Sequence, residues 1–122
     1  VLKIDKTDRR MNGHRDFKYR IKFDLHSFLN NDYSIEATMA AWNNANRAFL
    51  MCSKYMTETH GYGPELKLVN YMKENGEGVP LWATRHAYSV LHTKQPDTIY
   101  LRDDDAREKI EKVFVFLQLK YN

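Results

Sequence analysis

One cysteine, Cys52, among 122 residues leaves no partner for an intramolecular disulfide and no second thiolate with which to start a zinc site. These residues do not form a disulfide-stapled secreted scaffold, and a reducing cytoplasm is the expected setting. No stretch approaches about 18 consecutive apolar residues, and the opening VLKIDKTDRR is charged where an export signal needs an apolar centre. Neither export nor a membrane span is expected. Charge of one sign is scarce as well: 19 Lys and Arg stand against 16 Asp and Glu, a net +3. That balance permits an acidic partner but is far from the dense basic character of a chain whose whole surface tracks nucleic acid.

Catalytic signatures are also missing. There is no nucleophile elbow, and Gly61-Tyr62-Gly63-Pro64 is too short to cradle a phosphate, which needs a preceding strand and several converging amides. The five histidines, His14, His26, His60, His86 and His92, show no pair at the short helical spacing of a zinc motif, although His86 and His92 can approach each other beside Asp97. Asp103, Asp104 and Asp105 imitate a divalent-ion site, but consecutive residues at a helix start point in different directions, and helix capping accounts for them. Glu65-Leu66-Lys67 precedes Pro96-Asp97, the wrong order for a restriction-nuclease site. No catalytic residue, cofactor or metal is predicted.

What the chain does have is alternation. In FKYRIKFDL, residues 17–25, Phe17, Tyr19, Ile21, Phe23 and Leu25 alternate with Lys18, Arg20, Lys22 and Asp24. Strand side chains point to opposite faces with a period of two, so this segment predicts a strand with one buried and one cationic face. Before it, residues 1–16 are a polar lead-in with an Asn12-Gly13 turn, and 1–5 can pair back as an edge strand. After the loop Asn30-Asn31-Asp32, Ser34 caps an amphipathic helix of about 24 residues whose stripe is Ile35, Met39, Trp42, Ala45, Phe49, Cys52 and Met56. On that stripe Cys52 packs rather than reacts.

His60, Gly61, Gly63 and Pro64 end the helix, and Pro64 opens a shorter one over 65–74 that Gly76 terminates. A flexible connector, 75–80, leads into a hairpin: a strand near 82–91, a turn at Thr93–Asp97 and a strand over Thr98–Arg102. Residues 82–91 also fit a helix through Trp82, Arg85, Tyr88 and Leu91. Asp103 then caps a short helix with Asp104 and Asp105 in its first turn, where the helix dipole favours acids. VFVFLQL, 113–119, suits a buried final strand, while Ala106, Ile110, Val113 and Leu117 can prolong the helix instead.

In order, these elements predict a single α+β domain, 1–122, of the ferredoxin-like split βαβ type: a four-stranded antiparallel sheet with helices on one face and the other face open. The open face would gather Lys18, Arg20, Lys22, Tyr100 and Arg102, with Arg85 and Lys120 beside them, and Arg9, Arg10, His14 and Arg15 would add a rim. Such a surface pairs phosphates and stacks bases in RNA-binding sheets, yet TIYLRD lacks their paired aromatics, and strand lysines also prevent edge-to-edge aggregation.

The closing TIYLRDDDAREKIEKVFVFLQL and the early DRRMNGHRDFKYRIKF resemble small uncharacterised proteins encoded by tailed bacteriophages. The resemblance implies a viral accessory product made in the bacterial cytoplasm, and it carries no activity or functional residue. The expected function is non-enzymatic binding of a protein partner, from the host or viral machinery. The alternative is sequence-tolerant nucleic-acid binding through Lys18, Arg20, Lys22, Tyr100 and Arg102 with Arg9, Arg10 and Arg15.

Overall fold

A computed structural model describes residues 2–88 and 94–121, apart from the side chains of 87, 88 and 94–97. Leu91, His92 and Thr93 lie outside the described residues, and with them the expected end of the hairpin's first strand, part of its turn and the approach of His92 to His86. The elements are β1 (Ile4–Lys6), β2 (Tyr19–Lys22), α1 (Leu25–Phe28), α2 (Ile35–His60), a 3-10 turn (Leu66–Leu68), α3 (Val69–Glu74), β3 (Trp82–Tyr88), β4 (Lys94–Leu101) and α4 (Asp104–Tyr121).

The four strands form one antiparallel sheet in the order β1-β2-β4-β3. Central β4 aligns Tyr100 with Arg20 on one side and with Ala83 on the other. β4 lies between β2 and β3, which flank α2 in the chain, but this strand order does not establish the expected ferredoxin-like topology. The fourth strand is different: it is β1, whose Ile4 pairs with Ile21, and not residues 113–119. Those residues continue α4, because Ala106, Ile110, Phe114 and Leu117 recur at helical spacing and all four are buried. Burial of that stripe overrides the strand preference of Val113, Phe114, Val115 and Phe116.

The cap of α2 is as expected, with Ser34 Oγ accepting from the Ala37 amide at 3.2 Å, and the helix stops at Gly61, whose φ is +92°. Its buried stripe is displaced from the predicted one. Ala41, Ala45, Ala48, Phe49, Cys52 and Met56 are buried, whereas Ile35 is 80% exposed, Met39 62% and Trp42 38%. Two geometric facts explain this. At 100° per residue, Ile35, Met39 and Trp42 lie on a stripe rotated by roughly a third of a turn from the alanines. The helix is also about 39 Å long against about 27 Å for β4, so one end overhangs the sheet. Burial of Cys52 pushes its thiol up to about 12, which leaves it uncharged and unreactive at neutral pH.

The strand predicted over 17–25 is shorter. Asp24 caps α1 by accepting from the Ser27 amide at 3.0 Å, so Leu25 begins a one-turn helix. Burial raises the Asp24 pKa, but the hydrogen bonds from Ser27 and the nearby Lys22 charge outweigh it and hold the carboxyl below its ordinary value. At the other end, the Phe17 amide donates to Gly13 at 2.9 Å, which makes Phe17 part of a turn rather than of the ladder.

Two cores result. The main one lies between the sheet and the long helices: Tyr19, Ile21, Phe23, Trp82, Ile99 and Leu101 pack on the buried stripes of α2 and α4. The second lies on the opposite face, where Phe17, Ala83, Tyr100 and Val69 cluster with Leu66 and Val79. The expectation of an open second face is therefore corrected. Phe17 leaves its strand-mates to pack on Tyr100, ring centroids 5.8 Å apart, and the loop through Gly13 with the 3-10 turn covers the sheet.

A cationic groove as the candidate site

The outward residues of the sheet do not form the exposed platform that alternation predicts. Tyr100 is 1% exposed. A Cβ on Gly13 would stand 3.1 Å from its ring, and Gly13 has φ +81°, so both contact and conformation favour glycine there. Lys18 lies 3.1 Å from Asp104, which also accepts from the Tyr19 hydroxyl; these two bonds hold the Asp104 carboxyl below its ordinary value and raise Lys18. Lys22 pairs with Asp24 at 3.5 Å. Arg102 is tied to Asp103 at 2.9 Å and to the Val79 carbonyl at 3.1 Å. Arg20 is half-buried, and its Nε has no hydrogen-bond partner among the described residues. Each of these five residues is thus buried, half-buried or engaged by the fold.

The three acids after β4 disperse. Asp103 Oδ1 accepts from the Ala106 amide at 3.0 Å and caps α4, Asp104 faces Lys18, and Asp105 pairs with Lys109 at 2.7 Å. The cap and the Arg102 bond lower the Asp103 pKa. Among the described residues no three His, Cys, Asp or Glu side chains gather where they could hold a metal ion, and no helix is long and apolar enough to cross a membrane. His86 turns toward the helical layer, its ring 5.6 Å from that of Phe49.

The cations of the lead-in behave differently. Asp8 accepts from the Arg10 amide at 2.9 Å and the Asp16 amide bonds to Gly13, folding 8–16 into a compact loop over the covered face. Opposite this loop run the 3-10 turn and α3, anchored to the sheet because the Thr84 amide donates to Pro64 at 2.9 Å and Glu65 bridges to Thr84. Between the two walls opens a groove of about 920 Å³. Arg9, Arg10 and Arg15 line one wall, Lys67 and Lys73 the other, and Arg85 comes from β3; Asp16 and Glu65 are the acids among them. The apolar part of the lining is Met11, Leu66 and Val69.

Neutralisation inside the groove is partial. Lys73 reaches across to Asp16 at 2.8 Å and ties the walls together, Lys67 pairs with Glu65 at 3.1 Å, and Arg10 pairs with Asp8 at 3.1 Å. The Arg10 hydrogen bond lowers Asp8 and raises Arg10 in return. Arg9, Arg15 and Arg85 are exposed and have no acidic partner among the described residues. Cations gathered in a concavity with low-dielectric walls attract anions more strongly than the same charges dispersed. This arrangement can hold a phosphate-bearing ligand.

Of the residues singled out from sequence, Arg9, Arg10 and Arg15 come together here, while Lys18, Arg20, Lys22, Tyr100 and Arg102 are absent from the lining. Sequence reading missed Lys67 and Lys73. For Lys73 a signal exists in the chain: Leu66 and Val69 fall on one face of a helix over 65–74, and Lys73 lies four residues after Val69 on that face. Compared with protein-family profiles, with curated proteins and with solved structures, the chain matches none.

Proposed function

We propose that the protein is a non-enzymatic binding domain whose groove takes a phosphate-bearing polymer, with sequence-tolerant nucleic acid as the ligand class. The observation that carries this reading is the convergence of six Lys and Arg side chains on one concavity containing two acids, in a chain whose overall charge is nearly balanced. Three of the six, Arg9, Arg15 and Arg85, lack an acidic partner among the described residues, so an incoming phosphate gains their charge without first displacing a carboxylate. Binding by counterion release with three such contacts gives a slope of log affinity on log salt of about −2 for a single strand, a fall of roughly 20-fold between 50 and 200 mM. A fluorescent oligonucleotide titrated at several salt concentrations measures it. No retention at about 50 mM salt, or a slope near zero, would refute the reading.

A protein partner remains the second reading, and one observation favours it: Ile35 and Met39, with Leu50 further along, stand mostly exposed on one side of α2. Exposed apolar stripes of this kind mark contact surfaces. Its signature is a partner lost on Met39→Glu while oligonucleotide binding persists. The β2-α2-β3 unit enclosing β4 supports kinship with the ferredoxin-like sandwich, with β1 at the edge that a final strand would hold. The phage-like sequence stretches support a viral accessory role in the bacterial cytoplasm.

A further inference from the structure

Resting on the anion-binding reading of the groove, we propose that its ligand is a single strand whose bases contact the groove's apolar lining, and that duplex is excluded from the interior. Three features carry this. First, the cations that lack an acidic partner among the described residues lie on more than one side: Arg9 and Arg15 belong to the loop and Arg85 to β3. Phosphates of one flexible strand can follow them across the groove. A duplex keeps its phosphates on the outside of a wide cylinder and meets only a rim. Second, the volume of about 920 Å³ is at the upper end of small-ligand pockets, room for a short run of nucleotides. A duplex whose major groove alone is about 12 Å wide cannot enter it.

Third, the lining is not only charged. Met11 and Leu66 are half-buried, and buried Val69 lies behind them. A groove built only for the outside of a duplex has no use for such surface, whereas unstacked bases need it. Apolar side chains and guanidinium planes are what splayed bases pack against in single-strand recognition. The Lys73–Asp16 bridge, 2.8 Å long, fixes the spacing of the walls, so the interior is formed before ligand arrives.

The test uses the full chain and three probes of equal phosphate count at low salt: a short oligothymidylate, its abasic counterpart, and a duplex. The oligothymidylate should bind at least about tenfold more tightly than either of the others. Duplex binding as tight as the single strand, or tighter, would overturn the inference while leaving the anion reading intact. An abasic strand binding as well as oligothymidylate would overturn the base contacts. Failure of all three to bind would overturn the anion reading itself, so the two failures are distinguishable. Met11→Ser, a change in a half-buried loop residue, should narrow the gap between oligothymidylate and abasic strand and leave the salt slope unchanged; an unchanged gap counts against the lining.

Discussion

Replacing Arg9, Arg15 and Arg85 together by Ala should weaken single-strand binding roughly 100-fold and carry the salt slope from about −2 toward zero. The magnitude follows from three exposed charge contacts at about 1 kcal/mol each, the upper range for such pairs, which multiply because all three disappear from one ligand. Stability should stay within about 0.5 kcal/mol of the parent, since these side chains are exposed and support no packing. Replacing Arg47, Lys112 and Lys120 by Ala removes three exposed cations from α2 and α4 and is the matched control. If both variants weaken binding alike, the attraction belongs to the protein's overall charge and not to the groove. Spectroscopic unfolding curves recorded beside the binding isotherms separate loss of ligand from loss of fold.

Gly63→Ala should destabilise the protein by about 3 kcal/mol, lowering its melting temperature by roughly 10 °C. A Cβ at this position would overlap the indole carbons of Trp82. Trp82 has nowhere to retreat: it is 2% exposed, belongs to β3 and donates from Nε1 to the Gly61 carbonyl at 3.0 Å. The strain therefore has to move the 61–65 segment, where Pro64 and Glu65 bond to Thr84 at the groove wall. Ligand affinity should fall along with stability. Gly61→Ala provides the contrast. Its φ of +92° makes alanine strained, but nothing surrounds it, so the cost should be nearer 1 kcal/mol. Equal melting temperatures for the two variants would show that the Trp82 contact does not govern this corner of the fold.

Local signals were legible where one short-range cause dominates. Ser34 and Asp103 cap helices as their positions indicate, His60-Gly61 ends α2, and the alternation of Tyr19, Ile21 and Phe23 marks the buried side of β2. The failures occur where a distant element decides. Residues 113–119 satisfy both strand preference and helical spacing, and only the presence of β1 at the sheet edge frees them to be helix. Apolar Ile35 and Met39 look like core because their spacing is right, but α2 outruns the sheet it covers. Tyr100 alternates outward as predicted, yet Phe17 and the Gly13 turn close over it, which no period-two argument can anticipate. The groove was half visible: the arginines of the lead-in are a local cluster, whereas Lys67, Lys73 and Arg85 join them only through the fold.

A map of backbone amide shifts in a two-dimensional NMR spectrum, recorded as oligothymidylate is added at low salt, locates the contact surface on the protein. The perturbed amides should cluster in 9–16, 65–73 and 84–86, on both walls of the groove, while those of α2 from Ile35 to Leu50 stay in place. Perturbation centred on α2, or spread evenly over every exposed lysine and arginine, would contradict binding in the groove.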